Sequence, residues 1–186
     1  TTTQNWITLE GCKLALQSDV NYNNGDYSSP PKKGLKAFSR NYTSTLFDKE
    51  GYEERLHLNL FDGFEDTESY LNFMDSFFGS IDANDLLGML NTWQMGDIGK
   101  HEKFNNNTKK ALANINCPAL VMPSSTDLSF PARNNIPEVK GMPNAELKVI
   151  NTKHGHLAGG MSTTLTSQED VAFIDKNIRE FLKKIT

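Results

Sequence analysis

The chain has 186 residues, 37% of them hydrophobic and 23% charged, proportions that fit a packed globular domain and exclude a disordered chain. Its formal net charge of −4, without a basic cluster, argues against nucleic acid and against an anionic membrane as partners. No apolar stretch approaches the ~20 residues of a membrane span and no signal sequence opens the chain, so the expected location is the cytoplasm.

The amino-terminal part of the chain is predicted to be helical, without a convincing strand. Apolar residues recur at helical spacing in three stretches, residues 6–18, 35–46 and 64–78. Residues 21–31 are dense in Asn, Gly, Ser and Pro, which predicts a loop. Asp82 is predicted to cap a further helix over residues 86–93, with Asp85 near the positive end of its dipole.

After a polar joint at residues 105–107, strands and helices alternate. The predicted elements are a short helix at 111–115, a strand at 119–122, a helix at 131–142 interrupted by Pro137, a strand at 146–150 and an amphipathic helix at 170–185. This order predicts parallel strands joined by a right-handed crossover, and therefore an α/β fold. The first strand is an unbroken apolar run, which predicts burial on both faces. Since two strands make too small a sheet, further strands are expected from outside the chain.

The apolar side of the last predicted helix is expected to be buried. Its members are Val171, Phe173, Ile174, Ile178, Phe181 and Leu182. The two cysteines, Cys12 and Cys117, lie far apart in the sequence and lack C-x-x-C spacing, so both are predicted to be reduced residues that pack in the core.

An acid follows the first predicted strand and a histidine follows the second. They are Asp127 and His156, and the residues between them have room for one helix and one strand. Both are therefore expected at the same carboxyl edge of a parallel sheet. A Ser-Asp-His triad needs these two groups, because the imidazole takes the serine proton and the carboxylate fixes the imidazole tautomer. No G-x-S-x-G occurs in the chain, so the nucleophile is expected upstream of Thr1.

Each candidate has an alternative interpretation. Asp127 also fits a simple turn, because Ser-Ser-Thr-Asp is ordinary turn sequence. His154 is the nearest rival of His156, although a surface or supporting role is expected for it. His57 and His101 lie in polar segments and are predicted to be solvated. A metal site built from His154, His156 and Asp127 lacks a helix with H-x-x-x-H or H-E-x-x-H spacing, so no metal is predicted.

Six segments, taken together and in order, resemble α/β-hydrolases of the homoserine O-acetyltransferase type. They are Asp82–Leu87, Thr92–Gln94, Pro118–Pro123, Ser125–Pro131, Met142–Leu147 and Gly155–Gly160. The opening is also similar to the beginning of that family's lid, through Gly25-Asp26-Tyr27, Pro30-Pro31 and Gly34-Leu35. The resemblance covers essentially the whole chain, and the combination of segments is specific although any one of them alone is weak.

The resemblance implies the C-terminal part of an α/β-hydrolase fold. Residues 1–24 would form a core helix leading out of the sheet, residues 25–107 a helical lid, and residues 108–186 the C-terminal α/β core. Asp127 would then be the triad acid and His156 the general base. An upstream segment would supply the nucleophile.

The implied activity is ester hydrolysis or O-acyl transfer on a small-molecule ester or acyl donor. It needs no metal and no organic cofactor. Trp93 fits packing in the core, and its alternative role is to line a substrate passage between lid and sheet, where apolar walls are usual. A homodimer through lid helices is also suggested by the resemblance.

The chain departs from the acetyltransferases at two places. It has Thr45-Leu46-Phe47 where they carry a threonine-tyrosine signature, and Leu157 where they carry an acid directly after the catalytic histidine. Both differences favour a side branch of related hydrolases. Two alternatives stay open: a truncated, non-catalytic homologue that acts as a binding or dimerisation module, and a helical interaction protein in which the triad-like residues are coincidental.

Overall fold

The computed structural model describes residues 1–61, 63–159 and 167–186. Its helices are α1 (Thr3–Gln17), α2 (Lys32–Thr43), α3 (Lys49–Glu53), α4 (Thr67–Gly79), α5 (Ala83–Met95), α6 (Thr108–Ala113), α7 (Ala132–Gly141) and α8 (Gln168–Ile185). Its strands are β1 (Ala119–Val121) and β2 (Ala145–Leu147). Short 3-10 turns lie at Val20–Gly25, Leu56–Asn59, Glu102–Phe104 and Gly155–Leu157.

The chain forms two compact units. The amino-terminal unit comprises Thr1–Thr45 and Phe64–Gly96, and the carboxy-terminal unit comprises Leu46–Gly63 and Asp97–Thr186. Residues 46–61 therefore pack with the carboxy-terminal unit. The predicted division into a core helix, a lid and an α/β core stays a prediction, because compactness alone does not reveal which segment covers a substrate.

The amino-terminal unit is built from helices only. Helix α1 packs against α2 and α5, and α2 packs against α4. Leu9, Leu16, Leu35, Phe38 and Tyr70 are buried in its core. The predicted helices at 6–18 and 64–78 are confirmed with shifted ends, and the helix predicted at 35–46 ends earlier, at Thr43.

Polar caps explain where several of these helices begin. The side chain of Thr2 accepts a hydrogen bond from the backbone N–H of Asn5. Asp82 accepts from the backbone N–H groups of Asn84 and Asp85, as the sequence predicts. Each cap satisfies a backbone donor that has no partner inside its helix.

The carboxy-terminal unit contains the parallel pair that the sequence predicts. Ala119 pairs with Ala145 and Val121 with Leu147, and α7 lies between the strands in the chain. A further parallel bridge joins Ser124 to Ile150. The predicted interruption at Pro137 is wrong, because α7 continues through Pro137 as one helix from Ala132 to Gly141. The pairing brings the segments after β1 and β2 to the same edge of the sheet.

The predicted burial of β1 and α8 is wrong. All three residues of β1 are half-buried. On α8, Phe173, Ile178 and Leu182 remain 36%, 42% and 49% exposed. In the residues that the structure describes, a sheet of two strands is too small to cover both faces of β1 or the whole apolar side of α8.

The two cysteines differ in their exposure to solvent. Cys12 is buried in α1, as predicted, but Cys117 is exposed, so the prediction of a core position is wrong for Cys117. Burial raises the pKa of the Cys12 thiol to about 11. No helix in the described ranges is long and apolar enough to cross a membrane.

A thiol reagent at pH 8 is therefore expected to modify Cys117 quickly and Cys12 only after unfolding, because the thiolate is the reactive form. The measurement is mass spectrometry of timed iodoacetamide reactions, with Cys117→Ser as the variant that loses the fast phase. Equal labelling of both thiols in the native protein would contradict the burial of Cys12.

Candidate active site

Asp127 lies in the turn that follows β1. Its Oδ1 accepts hydrogen bonds from the backbone N–H of Ser129 at 2.7 Å and of Phe130 at 2.9 Å. These bonds close the turn and leave Oδ2 directed toward His156. Asp127 therefore closes the turn with one carboxylate oxygen and faces His156 with the other. Its interpretation as a turn residue and its interpretation as the triad acid are compatible.

His156 lies in the 3-10 turn after β2 and pairs with Asp127. Its Nδ1 is 3.0 Å from Oδ2 of Asp127. The carboxylate accepts, so Nδ1 carries the hydrogen and Nε2 is the basic nitrogen of the neutral ring. The side chain of Asp127 is only 10% exposed, whereas that of His156 is 30% exposed. The predicted meeting of this carboxylate and this imidazole is confirmed, and their catalytic role stays a prediction.

Burial and hydrogen bonding act in opposite directions on Asp127. Burial alone would raise the pKa of its carboxyl group, but hydrogen bonds from the ring of His156 and from the N–H groups of Phe130 and Ser129 outweigh it. The pKa of Asp127 therefore lies below its ordinary value. Asp127 is a carboxylate throughout the neutral range, as the partner of a general base must be.

Two hydroxyl groups hold the acid turn against the histidine turn. Ser125 Oγ donates to the carbonyl of Thr152 at 3.1 Å and accepts from the N–H of Thr152 at 3.1 Å. Thr126 Oγ1 donates to the same carbonyl at 2.9 Å and accepts from the N–H of Gly155 at 3.1 Å. The separation of Asp127 and His156 is thus fixed by backbone contacts as well as by their own bond.

The segment Leu46–Phe47 supports the histidine turn from its other side. The N–H of His156 donates to the carbonyl of Leu46 at 2.8 Å. Gly155 has φ +56°, and a Cβ atom there would lie 2.4 Å from that same carbonyl oxygen. Only glycine fits this left-handed, crowded position. The ring of Phe130 lies 5.7 Å from that of His156 and forms an apolar neighbour of the site.

His154 does not approach Asp127 but belongs to a second cluster. Its Nδ1 lies 3.0 Å from Thr152 Oγ1 and 3.5 Å from Oδ2 of Asp170. The supporting role predicted for His154 agrees with this placement. Sequence reasoning missed Thr152 and Asp170. The one available signal was Ser167, which caps α8 and places Asp170 in its first turn.

The remaining predicted residues have different outcomes. Trp93 is half-buried in α5, and its substrate-lining role stays a prediction. His101 is exposed, as predicted. The prediction of a solvated His57 is wrong, because its ring is buried 5.2 Å from that of Tyr52. Burial, and then the charge of Arg55, lower the pKa of His57.

The described ranges hold no group of three or more His, Cys, Asp or Glu that could bind a metal ion. Gly160, the last residue of the sixth resembling segment, lies outside the described residues.

No family model matches the chain. A probable esterase of Corynebacterium glutamicum is 31% identical over 185 residues, which cover 98% of this chain and 51% of the esterase. A homoserine O-acetyltransferase of Chloroherpeton thalassium is 27% identical over 152 residues, 79% of this chain and 39% of that enzyme. The crystal structure of an acetylester hydrolase from Corynebacterium glutamicum matches with a TM-score of 0.85 and 30% identity, over 98% of this chain and 51% of that chain.

The chain spans about half the length of the probable esterase and a smaller share of the acetyltransferase. Both matches and the structural neighbour agree with the six resembling segments and with the parallel pair of strands. The fold is the C-terminal part of an α/β-hydrolase. The chain belongs to the α/β-hydrolase superfamily, in the branch that contains these esterases and the homoserine O-acetyltransferases.

Proposed function

We propose that this chain supplies the acid and the base of a Ser-Asp-His triad that hydrolyses small esters or transfers their acyl group. The observation that carries the proposal is the 3.0 Å contact between His156 Nδ1 and Asp127 Oδ2, made by a buried carboxylate and a more exposed ring. The ring nitrogen that the carboxylate does not engage, Nε2, is the atom that a serine hydroxyl must face.

The chemistry proceeds in two half-reactions. Nε2 of His156 takes the proton of the serine hydroxyl while the serine oxygen bonds to the ester carbonyl carbon. The carbon–oxygen bond to the alcohol then breaks, and the imidazolium returns its proton to the leaving alkoxide. Water or an acceptor alcohol attacks the acyl-serine by the same proton transfers in reverse. Asp127 stabilises the imidazolium in both halves.

The serine belongs, in this proposal, to an upstream segment that packs with the chain. Three facts support it: the chain lacks G-x-S-x-G, it spans about half the length of its relatives, and its half-covered β1 and the exposed apolar side of α8 offer a surface to cover. Phe173, Ile178 and Leu182 are the side chains on α8 that such a segment would bury.

Small acetate esters are the substrates we favour, with water as the acceptor. The structural neighbour is an acetylester hydrolase, and Leu157 stands where the acetyltransferases carry an acid. No metal or organic cofactor enters this chemistry. We assign Trp93 to the wall of the substrate passage. We also propose that the protein is located in the cytoplasm and forms a homodimer through lid helices.

The test uses the complete protein that contains this chain. It is expected to hydrolyse an aryl acetate and to be labelled at one serine by a serine-directed phosphonate, with both reactions lost in His156→Ala. A folded complete protein that shows neither hydrolysis nor labelling would sink the proposal and favour the binding or dimerisation module. Transfer to an added alcohol, measured against hydrolysis, separates the two acyl acceptors.

A further inference from the structure

A second polar cluster lies directly behind the histidine turn, and the proposed triad does not use it. Its members are Thr152, His154 and Asp170. Thr152 and Asp170 are buried and His154 is partly buried. Thr152 Oγ1 donates to Oδ2 of Asp170 at 2.7 Å and lies 3.0 Å from His154 Nδ1. It also accepts from the backbone N–H of His154 at 3.2 Å.

All three hydrogen-bonding positions of the Thr152 hydroxyl are occupied. A hydroxyl offers one donor and two acceptor positions. Its hydrogen points at the Asp170 carboxylate, which can only accept, so its lone pairs face the two His154 groups. His154 must then carry its hydrogen on Nδ1. The cluster therefore has one consistent set of hydrogen bonds, which fixes the His154 ring as well as the backbone next to Gly155.

The backbone of Thr152 reaches in the opposite direction, to the acid turn. Its N–H and C=O bond Ser125, and its C=O also accepts from Thr126, the residue before Asp127. Thr152 thus joins three segments: the turn that carries Asp127, the turn that carries His156, and the first turn of α8 through Asp170.

We infer that Thr152 is a positioning residue for the Asp127–His156 pair, which it holds at bonding distance through its side-chain bonds to Asp170 and His154 and its backbone bonds to Ser125 and Thr126. This inference rests on the proposed function. Without the hydroxyl, Asp170 loses a hydrogen-bond donor and His154 loses an acceptor, and these side chains shift to replace the lost bonds. The movement shifts residues 153–156 and lengthens the bond between Asp127 and His156.

The test compares three variants of the complete protein. Thr152→Val keeps the shape and removes the hydroxyl, Thr152→Ser keeps the hydroxyl, and Thr108→Val is the matched control. Thr108 also donates to a carboxylate, Asp97, at 3.1 Å, but at an exposed position away from the site. Thr152→Val is expected to lower kcat about 10–100-fold with KM nearly unchanged, because the base is displaced while substrate binding is not. Thr152→Ser and Thr108→Val are expected to keep kcat.

A second readout does not depend on activity. The Nδ1–H proton of His156, protected by Asp127, is expected as a slowly exchanging signal in ¹⁵N–¹H NMR of the wild type. Thr152→Val is expected to raise its exchange rate at least about tenfold, and Thr152→Ser is not. If the wild type proves inactive, the proposed function fails while this measurement still decides the role of Thr152.

Asp170→Asn covers the case in which Thr152→Val does not fold. Oδ2 of Asp170 accepts from Thr152 Oγ1 and also lies 3.5 Å from His154 Nδ1. The amide removes the negative charge that strengthens both contacts, so faster exchange of the His156 proton is again expected. Unchanged exchange and unchanged kcat in the folded variants would overturn the inference. An equal loss in Thr152→Ser would also overturn it, because serine keeps the hydroxyl and the loss would then not follow the hydroxyl.

Discussion

Asp127→Asn in the complete protein is expected to lower kcat for ester hydrolysis by about 10⁴-fold while the fold is kept. The reason lies in how the two carboxylate oxygens are used. Oδ1 accepts both backbone N–H groups of the turn, and Oδ2 alone faces His156. An asparagine can keep its Oδ1 in the first role, so the turn after β1 is preserved.

The amide then places its NH₂ group against the histidine ring. A donor at this position requires Nδ1 to accept, which moves the ring hydrogen to Nε2. In that tautomer Nε2 cannot take the serine proton. The variant also loses the negative charge that stabilises the imidazolium. The expected loss therefore appears in kcat, with little change in KM, because no substrate contact is altered.

The measurement is steady-state hydrolysis of an aryl acetate, together with near-ultraviolet circular dichroism to verify packing. Asp175→Asn is the matched control, since Asp175 is an exposed carboxylate that pairs with Arg179 one turn along α8. That control is expected to keep full activity. If Asp127→Asn retains more than about a tenth of kcat, Asp127 is not the triad acid.

In the described part of the chain, both strands and all helices except α3 could be predicted, because each of them leaves a local pattern, whereas the five-residue α3 was missed. Apolar spacing marks α1, α4 and α5, and Asp82 is visible as a cap one residue before α5. The order of strand, helix and strand was enough to predict parallel pairing. The ends of elements were less predictable: α2 stops at Thr43 although Leu46 continues the apolar spacing, because Leu46 is buried outside the helix.

Of the candidate site, only the pair Asp127 and His156 was predictable. Asp127 and His156 each follow a strand, and parallel pairing forces those positions together. The residues that keep these two side chains at a 3.0 Å contact come from elsewhere in the chain. The carbonyl of Leu46 accepts from the N–H of His156, and Asp170, in the first turn of α8, accepts from Thr152. Backbone acceptors leave no sequence pattern, and an acid in a first turn is explained well enough by the helix dipole. Tertiary contacts of this kind need coordinates.

Gly155→Ala is expected to damage the site strongly although it replaces neither Asp127 nor His156. The added Cβ would lie 2.4 Å from the carbonyl oxygen of Leu46 and 2.8 Å from Cα of Phe47. Both are backbone atoms, so they cannot move aside as a flexible side chain does. The left-handed φ of +56° adds a conformational cost of about 1–2 kcal/mol for alanine.

The histidine turn must therefore move away from residues 46 and 47. This movement breaks the bond from the His156 N–H to Leu46, and the imidazole moves with its backbone. A displacement of about 1 Å at a catalytic group typically costs on the order of 10²-fold in rate. The free energy of unfolding is expected to fall by about 2–5 kcal/mol, from the combined conformational and packing costs. Urea denaturation and steady-state kinetics on the complete protein measure the two effects.

Gly159→Ala separates crowding from backbone conformation. Gly159 also has a positive φ, +72°, but among the described residues a Cβ there meets side-chain ends, Ile174 Cδ1 at 3.3 Å and Ile150 Cδ1 at 3.6 Å. It carries the left-handed cost without a backbone clash, so it is expected to lose stability by about 1–2 kcal/mol and to keep most of its activity. If the two variants lose equal activity, the close approach of Leu46 to Gly155 does not position His156, because backbone conformation alone then accounts for the loss.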